Sequence, residues 1–273
     1  MKQPKKQGKR VTSWGPIGAQ VAQFRRYAGK TQPVLAADLC ISEDKLASIE
    51  QGRRPLQMAL AVQIDTLLDT KQALETAVSK VPERERYPVF VQDFVDYEQE
   101  AVTLLWYENS VVPGLLQTEE YARAVFDCRY PPVEDETVDD WVQGRMDRQK
   151  VWDRFRPPRA NFILEEAILR RPVGGREVMR EQLRKLRYME QLPCMGLQIM
   201  PMDRMPHAGL DGPMVLLETP DHEHLAYMEG QRVSFLVDDP DEVSVMQQKY
   251  GMLRSQALSP EESTRLLDGL LGD

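Results

Sequence analysis

Three histidines, His207, His222 and His224, are the residues best suited to proton or metal chemistry in this chain. His222, Glu223 and His224 stand together, two imidazoles flanking a carboxylate. They fall at the edge of an expected hairpin turn with no thiolate close in sequence, whereas structural zinc takes four ligands. Exposed turn histidines are therefore the expectation. Cys40, Cys128 and Cys194 lie far apart and form no close-spaced pair, which suits reduced thiols. Pro172-Val173-Gly174-Gly175 lacks the Lys-Ser/Thr pair and third glycine of a phosphate loop. Ser234 and Ser255 lack the surroundings of a nucleophile elbow. Carboxylate pairs such as Glu165-Glu166 and Asp238-Asp239 read as helix caps and solvated faces. No enzyme activity, metal or cofactor is expected.

The chemistry that the spacing does suit is the recognition of phosphates and base edges. Within residues 31–55, Thr31 caps a helix with Gln32 and Pro33 in its first turn. Ser42 caps a second helix after the very short link Cys40-Ile41. Leu39, Ile41, Leu46 and Ile49 form the wedge between them, and Ala36 is small where they cross. Such a wedge holds the second helix out for the DNA major groove. Gly52 stops it.

Glu43 and Asp44 open that second helix. Acids in a first turn favour the helix macrodipole; alternatively, one accepts a hydrogen bond from cytosine N4. Carboxylates near phosphates cost affinity, which favours the first reading. Lys45, Arg53 and Arg54 are the candidate phosphate contacts, and Gln32, Ser42 and Ser48 complete the expected interface. Lys5, Lys6, Lys9 and Arg10 belong to a basic N-terminal tail, read as disordered, that can follow the DNA backbone.

The elements around these residues divide the chain. Its length of 273 residues suits two domains. Residues 1–70 hold 11 Lys/Arg and 6 Asp/Glu, a balance of +5; residues 71–273 hold 24 and 37, a balance of −13. The net charge of −8 thus averages a basic end and an acidic body. Ile17, Val21, Phe24 and Ala28 share a helical face. The expected organisation is a tail (1–13), an all-helical unit (14–70), a linker (71–88) and an acidic body (89–273). In the body, helices are expected near 89–101, 119–126 (capped by Thr118), 136–155 and 176–190. Strands are expected near 102–107, 161–164, 197–200, 213–218, 224–229 and 233–237. Two capped helices follow, opened by Asp239-Pro240-Asp241-Glu242 and Ser259-Pro260-Glu261-Glu262. The fold class is α+β, with a small antiparallel sheet in the body. No run is long and apolar enough for a membrane helix.

Thr31-Gln32, Leu35-Ala36, Leu39, Ile41-Ser42, Ile49-Glu50 and Gly52-Arg53-Arg54-Pro55 resemble the XRE family of Cro- and CI-type helix-turn-helix proteins. The resemblance covers residues 16–68. It implies that residues 42–48 face the groove. The family often has glycine where Cys40 stands, and a left-handed Cys40 costs about 1 kcal/mol.

VPGLLQTEEYARAV (112–125), ILEEAILRRPVGG (163–175), HAGLDGPMVLLETPD (207–221) and residues 229–263 are similar to the C-terminal domain of actinobacterial WhiJ-like, Scr-type antitoxin-like regulators. That resemblance implies a transcription regulator encoded beside a small protein that it binds, and no catalytic residues. The sequence expectation is a cytoplasmic dimer on double-stranded operator DNA, reading half-sites about 34 Å apart. Met200, Met202, Met205, His207 and Met214 are candidates for contact with the partner or with a small apolar ligand; core filling is the alternative for the methionines. A small-molecule sensor and an enzyme with a DNA-targeting domain are the competing functions.

Overall fold

The computed structural model describes residues 13–81, 92–231 and 233–272. The basic tail lies outside them. The chain divides into two compact units between residues 86 and 87.

The first unit contains α1 (Trp14–Tyr27), α2 (Gln32–Asp38), α3 (Glu43–Glu50), α4 (Met58–Leu68) and α5 (Ala73–Ser79). Val21, Leu35, Leu46, Ile64 and Leu74 are fully buried and build one core. Residues 71–88 were expected to be a linker, yet α5 belongs to this core. The reason is a buried carboxylate: Asp65 on α4 accepts from the free N–H groups of Leu74 (3.1 Å) and Glu75 (2.8 Å). It caps a helix start that α5 itself leaves open.

The second unit carries α6 (Gln92–Glu100), β1 (Thr103–Glu108), α7 (Glu119–Asp127), α8 (Asp135–Arg148), β2 (Arg159–Glu165), α9 (Glu166–Arg170), α10 (Arg176–Met189) and β3 (Met195–Met200). It continues with β4 (Met214–Glu218), β5 (His224–Gly230), β6 (Val233–Val237), α11 (Pro240–Gln256) and α12 (Pro260–Leu271). The six strands form one sheet in the order β3-β2-β1-β4-β5-β6. β4, β5 and β6 are the expected antiparallel strands. The sheet is larger and mixed, because β1, β2 and β3 run parallel. Parallel neighbours need helical crossovers, which α7–α8 and α9–α10 supply.

Successive side chains of the central strands are buried on opposite faces of the sheet. Leu104, Trp106, Phe162, Val215, Leu217 and Tyr227 face one core. Tyr107, Ile163, Met200, Met214, Leu216 and Ala226 face the other, beneath Val243, Tyr250 and Leu253 of α11. The β3 edge is covered by the α11–α12 connection. Leu258 N donates to Ile199 O, and Ile199 N donates to Ser263 Oγ, both at 2.9 Å. The caps at α11 and α12 form as the sequence indicates: Asp239 accepts from Asp241 N and Glu242 N, and Ser259 with Glu262 completes a capping box.

Candidate nucleic-acid interface

The turn between α2 and α3 is set by backbone hydrogen bonds. Cys40 N donates to Ala37 O (3.1 Å) and Ile41 N to Ala36 O (3.0 Å). This is the Schellman pattern, whose pivot adopts positive φ. The pivot is Cys40, at φ 55°. The same bonding follows α3, where Gly52 at φ 66° is the pivot. One of the two turns therefore has a side chain where glycine fits without strain.

Ser42 then starts α3, its Oγ accepting from Lys45 N at 3.1 Å. Leu46 and Ile49 point into the core. α1 crosses α3 so closely that a Cβ at Gly18 would overlap the Ile49 carbonyl oxygen. The far end of α3 is held by charge. Arg25 Nε and Nη2 donate to the two carboxylate oxygens of Glu50 at 2.5 and 2.9 Å. Arg25 Nη1 donates to Lys30 O at 2.9 Å, and Gln32 Nε2 donates to Glu50 at 2.7 Å. One buried ion pair thus ties α1, the α1–α2 loop and α2 to the end of α3. The Glu50 hydrogen bonds steady the Arg25 guanidinium and raise its pKa further.

The outer side of α3 is accordingly fixed in position. Ser42, Glu43 and Asp44 are exposed on its first turn, and Lys45 and Ser48 are half-buried. Arg53, exposed, and Arg54, half-buried, follow in the turn after it. Arg53 Nε donates to Gln51 Oε1 at 2.8 Å. The structure brings these seven residues to α3 and the turn that follows. It gives Gln32 an internal partner, which leaves its oxygen and one amide hydrogen for a DNA contact. Arg25, Gly18 and the pairing role of Glu50 are not legible in the sequence, because partners 25 residues apart leave no local spacing signal.

In the body, the residues considered for a partner or apolar ligand separate. Met200 and Met214 are core. Met202 and Met205 are 56% and 62% exposed. His207 is turned inward, accepting from Gly209 N at 3.2 Å through Nδ1. Its Nε2 lies 3.6 Å from Glu165, which also accepts from the Tyr107 hydroxyl at 2.7 Å. A Cβ at Gly209 would overlap that hydroxyl, so this trio pins the 201–213 loop. His222 pairs with Glu218 at 2.7 Å on the surface. Among the described residues, no group of three or more His, Cys, Asp or Glu is placed to hold a metal ion. No described helix is long and apolar enough to cross a membrane.

Two family models match the chain. One, described as a helix-turn-helix domain, covers residues 16–78. With the geometry above, it makes the first unit the XRE-type DNA-binding unit of a regulator. The other, described as a domain of unknown function (DUF5753), covers residues 91–269, more than half the chain. The chain belongs to this family. Comparison with curated proteins and with solved structures gives no match. The DUF5753 domain thus takes in the whole mixed sheet and the helices on both its faces.

Proposed function

We propose that this chain is a sequence-specific transcription regulator, a repressor that acts on its own promoter. It works as a cytoplasmic dimer reading two operator half-sites about 34 Å apart. The carrying observation is α3: its inner side is locked by Leu46, Ile49 and Glu50 while Glu43, Asp44 and Arg53 face solvent. One short helix led by two acids binds weakly alone, which favours two copies. The outer edge of β6 supports pairing, since Val233 and Phe235 are 50% and 60% exposed and the strand carries no charge.

The DUF5753 body binds a small protein in an antitoxin-like arrangement, as the resemblance to WhiJ-like, Scr-type regulators suggests. Its −13 balance favours a partner with a basic face. Sensing of a small apolar ligand is the second reading. The core positions of Met200 and Met214 weigh against a ligand there and leave Met202 and Met205 as surface contacts. The reading includes no catalysis, since the His207–Glu165 approach serves a loop.

Gel-shift titration against the DNA upstream of its own gene tests the first part. Tight, salt-sensitive binding there and at least about 1000-fold weaker binding to random DNA is expected. Equal affinity for both would sink sequence-specific regulation. Recovery of one small, basic protein by the body supports the second part, and an acidic one counts against it.

A further inference from the structure

Residues 112–118 of the DUF5753 domain form a loop whose backbone is served by distant side chains. Gln149 Nε2 donates to the Gly114 and Gln117 carbonyls, each at 2.8 Å. Gln182 donates to Leu116 O at 2.7 Å and accepts from Thr118 N at 2.8 Å. Trp152 Nε1 donates to Leu115 O at 3.1 Å. Buried loop backbone requires such partners, and here they make the loop rigid.

Arg145 on α8 lies against this loop with most of its donors unused. Its Nη1 donates to Gln117 Oε1 at 2.8 Å, and its guanidinium lies 4.2 Å from the Phe126 ring centroid. A guanidinium carries five N–H donors, and this one commits a single bond. Among the described residues, no carboxylate forms an ion pair with it. Arg148, three residues on, differs sharply: Glu98 accepts from it twice, at 2.8 and 2.6 Å. Burial, and then the like charge of Arg148, lower the Arg145 pKa to about 9. The Phe126 ring and the Gln117 oxygen meet part of this cation, and its remaining donors are not sealed from solvent, so they are open to a ligand. The side chain is half-buried on α8.

Hydrogen bonds through Gln117 and Val112 link Arg145 to a second donor, the Tyr121 hydroxyl. Gln117 Nε2 donates to Val112 O at 2.6 Å, and Val112 N donates to the Tyr121 hydroxyl at 3.2 Å. The Tyr121 proton has no acceptor among the described residues. Arg171 and Arg145 both act electrostatically on this hydroxyl. Arg171 holds Ser110 O at 3.1 Å through Nη1 and is otherwise exposed.

We propose that Arg145 anchors a binding site for a small monocarboxylate, with the Tyr121 hydroxyl and Arg171 as additional donors. The planar guanidinium fork matches a carboxylate. The nearby carboxylates of Glu98 and Glu229 disfavour a dianion such as phosphate. The site belongs to the body and stands whether or not the DNA reading holds.

Thermal melting of the full chain in sodium acetate, sodium phosphate and sodium chloride at matched ionic strength tests it. Acetate should raise the body's transition saturably by about 3 °C over chloride, and more than phosphate does. Arg145→Gln should melt in chloride within about 2 °C of the wild type and lose the acetate shift. Arg145→Lys, which keeps charge without the fork, should weaken acetate binding about tenfold. Equal melting in acetate and chloride, a larger shift in phosphate, or a full acetate shift in Arg145→Gln overturns the proposal. Should Arg145→Gln fail to fold, exposed Arg171→Gln decides: it should weaken acetate binding about threefold, and unchanged binding overturns the site.

Discussion

Glu50, the last residue of α3, receives both Nε and Nη2 of Arg25 from α1, with the carboxylate 5% and the guanidinium 10% exposed. The pair decides whether α3 is a probe or a loose helix. Glu50→Ala leaves the buried Arg25 charge with the Lys30 carbonyl and no carboxylate. Removing one member of a buried pair costs about 3–5 kcal/mol. For a unit of this size that lowers the melting transition by more than about 15 °C. Circular dichroism melting reads it, and a drop below about 3 °C would show that the pair is not needed.

Cys40→Gly should do the opposite. The position holds φ 55°, where a Cβ is strained, and the thiol is exposed. Glycine relieves about 1 kcal/mol. The gain should show in chemical denaturation of the helical unit with DNA affinity unchanged. A loss of stability would mean that the Cys40 side chain makes a contact worth more than its strain.

The salt dependence of DNA binding should identify the phosphate contacts. Arg53→Ala and Arg54→Ala should each reduce the slope of log affinity against log salt by about 0.9. Glu43→Gln should tighten binding to random DNA by removing a charge from the first turn of α3. Slopes that stay at the wild-type value in both arginine variants would move the phosphate contacts elsewhere.

Glu108, at the end of β1, links stability to pH. Burial outweighs the hydrogen bonds from Ser110 and Asn109 and pushes its pKa up from 4.5 to about 7. Between those values the folded state holds a proton that the unfolded state releases. Stability contributed by this group is therefore present below about pH 4.5 and falls as pH rises to about 7. For a half-buried group the loss is about 1–3 kcal/mol. Glu108→Gln should flatten the urea midpoint of the body between pH 5 and 8 and exceed the wild type at pH 8. A wild-type midpoint that rises across that range would refute the assignment.

Much of the fold is legible in the sequence because its signals are local. The Ser42, Thr118, Asp239 and Ser259 caps form where a short polar side chain precedes a helix, whereas Thr31 starts α2 without a side-chain cap bond. The strands are short apolar runs, so β1 to β6 fall within a few residues of their expected places. Pairing is different. Nothing in the 103–108 run says that Trp106 will face Phe162 in a parallel partner and Val215 in an antiparallel one. The sequence marks 71–88 as a linker with some helical character, and α5 joins the core because its cap, Asp65, sits on another helix.

The sequence alone determined that Thr31 to Pro55 is a helix-turn-helix, since capping and wedge residues act within one or two turns of chain. It also determined which end of the protein is basic. Only the tertiary structure decided that Gln32 is tied to Glu50, that His207 faces inward, and that Arg145 lacks the carboxylate Arg148 has. Those outcomes depend on which distant group is delivered to a buried side chain. Burial makes the match or mismatch costly, and no spacing rule along the chain records it.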